Sequence, residues 1–107
     1  MSSMSIKTNI DVETKFFGGM ASIRRHYLKE VKPELWKELV ESGEAAAYLE
    51  RFEEEYSEKF SRMENRMLEK EGILGHPAPG MDWYTWMTRC TQIHEQVREI
   101  LSAEIQS

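Results

Sequence analysis

Cys90 and His94 stand four residues apart, a spacing that sets a thiol and an imidazole on one face of a helix. Such a pair can serve as nucleophile and base, or as half of a zinc site. Zinc would need two further ligands, and the chain has no second cysteine and no adjacent histidine to supply them. The stretch LERFEEEYSEKF, residues 49–60, suggests a different chemistry: Glu50, Glu53, Glu54, Glu55 and Glu58 fall within nine residues. Helical bundles that hold two metal ions need glutamates aimed into the core together with Glu-x-x-His pairs. Here Ile23, Ile73 and Thr91 precede His26, His76 and His94 by three, so that pairing is missing. His76, in GHPAPG, has no catalytic partner in view, and no phosphate loop, nucleophile elbow or metal motif occurs. These residues point to a chain without catalysis, metal or cofactor.

The glutamates are then a surface. Glu50, Glu54 and Glu58 recur at i, i+4 and i+8, an outward stripe flanked by Glu53 and Glu55, with Phe52, Tyr56 and Phe60 facing inward. Lys59 and Arg62 follow Glu55 and Glu58 by four, where an ion pair contributes only about 0.3–0.5 kcal/mol. The stripe is either the wet side of a helix or a surface that attracts a basic partner. Like charges at i, i+4 cost helix stability, so a sequence chosen for stability alone would intersperse lysines. One carboxylate per turn approaches the linear charge of a nucleic-acid strand, about one per 3.4 Å, which permits mimicry. A rival surface lies in SIRRHYLK, where Arg24, Arg25 and Lys29 share an outward face with Lys32 just beyond. Such a patch could touch phosphate.

Charge is unevenly spread along the chain. Residues 1–32 carry Lys7, Lys15, Arg24, Arg25, Lys29 and Lys32 against three acids, whereas 33–58 hold nine glutamates against Lys37 and Arg51. The net charge of −5 over 107 residues argues against general nucleic-acid binding, which needs a basic footprint. It leaves basic proteins, including those that bind nucleic acid, as partners. No run of 18 apolar residues occurs, so no membrane span is expected. The first residues lack the apolar segment of a signal peptide, and a single cysteine suits a reducing cytosol.

Helices must position these groups. An extended arm is expected over 1–18, ahead of one helical domain, 19–107, with helices over about 20–31, 33–42, 44–71 and 82–105. Pro33 cannot continue the first helix but suits the first turn of the second. Gly43 and Gly72 are placed to end helices, and Asp82 to cap the last one. Two long helices joined by the Gly/Pro-rich stretch GILGHPAPGM should form an antiparallel hairpin covered by two short ones. In it Trp83, Trp86 and Ile93 should meet Phe60, Met63 and Met67. The fold class is all-α and bundle-like.

RHYLKEVKPELWKELVESGEAAAYLERFEEEYSEKFSRMENRMLEKEGI resembles the TnpV family, small helical proteins encoded on transposons and other mobile elements. MDWYTWMTRCTQIHEQVREILSAEI is similar to the last helix of that family. The likeness covers residues 20–106 and departs at GHPAPG and in the denser acid after Leu49. It implies a genomic setting and carries over no catalytic residue. By analogy with small acidic proteins that shield mobile elements, the expected function is a non-catalytic inhibitor. Its acidic helix would dock on a nucleic-acid-handling protein, most concretely a CRISPR nuclease or its guide complex. The alternative is a transposition factor binding DNA through Arg24, Arg25, Lys29 and Lys32. Homodimerisation is left open.

Overall fold

The computed structural model describes residues 18–107, so the arm expected over 1–18 lies outside the described residues except for Gly18. Four α-helices follow in order: α1 (Gly19–Val31), α2 (Pro33–Ser42), α3 (Ala45–Lys70) and α4 (Trp83–Ile105). Among the described residues there is no strand, and the class is all-α. Two compact units divide the chain, one running to Tyr56 and including Ile105–Ser107, the other Ser57–Glu104.

The helix ends follow from local backbone chemistry. Lys32 closes α1, donating its N–H to Leu28 O at 3.0 Å, and it opens α2 by accepting from Trp36 N at 3.1 Å. Pro33 occupies the first turn of α2, where its missing N–H is not needed. After α2, Gly43 takes a left-handed conformation (φ 78°) and donates to Val40 O, while Glu44 N reaches back to Leu39 O. The same double closure ends α3, with Gly72 N on Glu69 O and Ile73 N on Leu68 O, and both Leu68 and Ile73 are buried. Asp82 caps α4: its Oδ1 accepts the Thr85 N–H at 2.7 Å.

In the first unit Ala21, Leu28, Trp36, Ala45 and Leu49 form the core, with Tyr27, Leu39, Val40 and Tyr48 packed against it. Ala21 and Ala45 are fully buried, so the small side chains sit at the centre of that core. In the second unit the later part of α3 and most of α4 run antiparallel, as the pairs Lys59–Glu104, Glu64–His94 and Glu71–Arg89 require. Leu68, Ile73, Ile93, Val97 and Leu101 are buried there. Trp86 is half-buried and anchors the loop by donating its indole N–H to Ile73 O at 2.9 Å. Trp83 does not join it in the core. Its ring tilts against Trp86 at 4.8 Å and is 63% exposed.

Candidate functional site

The five glutamates of residues 50–58 do not act as a set. Glu53 is drawn into the fold. Its Oε1 accepts the Ala21 N–H at 2.9 Å, satisfying a donor in the first turn of α1 that has no partner within the helix. The N-cap of α1 is Gly18, which has no side chain to do this. A carboxylate at a helix N-terminus is also favoured by the helix dipole. Gly18 takes φ 99°, and any Cβ there would collide with the Glu53 carboxyl. Expected on the outward face, Glu53 is thus a cap supplied from 32 residues away.

Glu50, Glu54 and Glu55 are exposed on α3 in the first unit, and Glu58 is exposed in the second. Phe52 and Tyr56, half-buried, stack at 4.3 Å between centroids. Lys59 does not pair with Glu55 but with Glu104. Among the described residues no ion pair engages Glu54, Glu55 or Glu58. The acidic face of the first unit is therefore Glu50, Glu54 and Glu55, without Glu53.

The basic patch also loses a member. Arg24 is half-buried rather than outward: Nη1 donates to Ile105 O at 2.7 Å and Nε to the Tyr48 hydroxyl at 3.0 Å. Its guanidinium lies 5.3 Å from the Tyr27 ring centroid and 5.5 Å from that of Phe52, so cation–π attraction adds to the hydrogen bonds. By binding the last carbonyl of α4, Arg24 does for that C-terminus what Glu53 does for the start of α1. Arg25 is half-buried, and Lys29 and Lys32 are exposed.

In the second unit His94 pairs through Nδ1 with Glu64 Oε2 at 2.8 Å and tilts over Phe60 at 4.8 Å. Cys90 is half-buried. The Arg89 guanidinium grips Glu71 with two of its three nitrogens, Nε to Oε1 at 2.7 Å and Nη2 to Oε2. That fork holds the Glu71 carboxyl below the usual carboxylate range and raises Arg89 above its ordinary value. Asp82 is lowered likewise, by the hydrogen bonds it accepts from Thr85. Tyr84, 80% exposed, joins Trp83 and Met87 in an exposed apolar cluster at the start of α4. Trp83, expected to pack against Phe60, Met63 and Met67, lies instead on this surface. Among the described residues no group of three or more His, Cys, Asp or Glu is placed to hold a metal. No described helix is long and apolar enough to cross a membrane.

The model of the family described as transposon-encoded protein TnpV matches residues 5–105. No curated protein and no solved structure matches the chain.

Proposed function

The chain belongs to the TnpV family of transposon-encoded proteins, and from this premise we propose that it is a non-catalytic binding protein of its mobile element. Its acidic face docks on the basic surface of a nucleic-acid-handling protein and obstructs it. An RNA-guided nuclease is the most concrete partner, because its nucleic-acid channel is lined with cations. One observation carries this reading. Three acids of the second unit are spent on cations within the fold, Glu64 on His94, Glu71 on Arg89 and Glu104 on Lys59, whereas Glu54 and Glu55, like Glu58 of the second unit, are exposed and engage no cation among the described residues. Uncompensated like charge on a helix costs stability, and a basic partner would offset that cost. The DNA-binding alternative is weakened because Arg24 is committed to Tyr48 and Ile105.

Changing Glu50, Glu54 and Glu55 together to glutamine removes three charges and keeps helix propensity. In a nuclease-inhibition assay or a pull-down from bacterial lysate, this variant is expected to lose binding, mainly through a slower association rate. Wild-type binding should weaken as salt rises, since screening acts over about 8–10 Å near physiological ionic strength. Glu58→Gln, tested separately, reports whether the second unit contributes. Unchanged binding by the triple variant would reduce the glutamates to a solvated face.

A further inference from the structure

We propose that the edge of α3 formed by Arg62, Arg66 and Lys70 binds the phosphate backbone of a nucleic-acid strand. The three cations follow one another at intervals of four residues, with Lys59 three residues ahead of Arg62. Arg62, Arg66 and Lys70 are exposed. Lys59, Arg62, Met63 and Arg66 line a shallow groove of about 230 Å³ along this edge. Glu64 holds His94 and Glu71 holds Arg89, while Glu104 holds Lys59 at the end of the row; Glu58 and Glu69 are exposed nearby, and among the described residues no ion pair engages Arg62, Arg66 or Lys70. A positive strip thus persists on a chain whose net charge is −5.

The shape of the strip selects the ligand. Four helical residues advance about 6 Å, and two nucleotides of one strand advance about 6.8 Å at 3.4 Å each. Successive cations can therefore meet alternate phosphates, with the flexible Arg and Lys stems absorbing the difference. A free phosphate ion would instead need donors converging on one point, and cations stepped about 6 Å apart along a helix and turned about 40° at each step do not converge. The arginine fork suits phosphate oxygens in pairs. Recognition of this kind reads backbone charge and spacing, not base sequence.

The test is fluorescence anisotropy of the full chain with labelled 20-nucleotide DNA and RNA strands across a salt series. Three phosphate contacts predict a slope of log affinity against log salt of roughly −2 for a single strand, at about −0.7 per contact. Arg62→Gln, Arg66→Gln and Lys70→Gln should each make the slope shallower by about 0.7, and the triple variant should bring it close to zero. Circular dichroism should show unchanged helix content in each. Arg25→Gln/Lys29→Gln/Lys32→Gln should keep the wild-type slope. Binding of either strand supports the proposal, and comparing them shows which sugar is preferred. Failure of the wild type to bind at about 25 mM salt, where phosphate contacts are strongest, would overturn it. Equal binding by the Arg62/Arg66/Lys70 variant would do the same. Displacement of the strand by polyglutamate at equal charge, or self-association abolished by that variant, would assign the strip to carboxylates and also refute it.

Discussion

Glu53 and Glu54 are neighbours of the same type with opposite fates. The Glu53 carboxylate holds the Ala21 N–H at the start of α1, while Glu54 is exposed. Removing a charged cap typically costs about 1 kcal/mol, whereas an exposed substitution stays within about 0.5. Glu53→Ala should therefore lower the urea midpoint while Glu54→Ala leaves it nearly unchanged. Equal midpoints would mean that the α1 terminus draws no stability from this contact. The pair also separates fold from binding, because only Glu54 belongs to the proposed docking face. Arg24 repeats the lesson with opposite charge. A long cationic side chain in a basic stretch is ordinarily solvated, yet here it sits over Tyr27 and Phe52 and binds the end of α4.

Apolar spacing along α4 names a stripe without saying where the stripe turns away from its neighbour. The buried positions Ile93, Val97, Leu101 and Ile105 recur every four residues. At about 100° per residue, each step of four rotates the buried direction by about 40°. Trp86 precedes Ile93 by seven residues and lies within about 20° of it, so it reaches Ile73 O. Trp83 and Met87 lie about 80° and 120° from Ile93, on the same arithmetic, and both are exposed. Ile93→Ala should cost about 2–5 kcal/mol of stability, because it opens a cavity in a fully buried position. Trp83→Ala should cost well under the roughly 3–5 kcal/mol of a buried tryptophan. Comparable losses in denaturant titrations of the two variants would contradict this geometry.

For the molecule in solution, acid is the informative perturbation. The carboxyls of Glu71 and Asp82 are both depressed in the folded chain, the first chiefly by the side-chain hydrogen bond from Arg89, the second by hydrogen bonds from Thr85. A depressed carboxyl binds its proton less readily when folded than when unfolded, so it contributes stability above its unfolded value. That contribution falls away as the pH drops through the lower folded value. Stability should therefore decline from the ordinary carboxylate range downward, and Glu71→Gln or Asp82→Asn should flatten the decline. Melting temperatures measured from neutral pH to strong acid check this, and parallel curves for wild type and variants would show that neither group is linked to folding. Both carboxyls are exposed, so high salt should shrink the part due to Glu71.

Residues whose effect is local were legible in the chain alone. Pro33, Gly43, Gly72 and Asp82 stand at helix ends because a missing N–H, a left-handed φ or a short carboxylate acts within four or five residues. The all-α class followed for the same reason, since helical periodicity is also a local property. The tertiary structure decided which polar side chains the fold consumes. Ala21 and Glu53 are 32 residues apart, Arg24 and Ile105 81, Lys59 and Glu104 45. No local spacing encodes such pairs, because they exist only once separate helices have been packed side by side. For that reason the five clustered glutamates looked equivalent in sequence, and packing reduced the exposed face of the first unit to Glu50, Glu54 and Glu55.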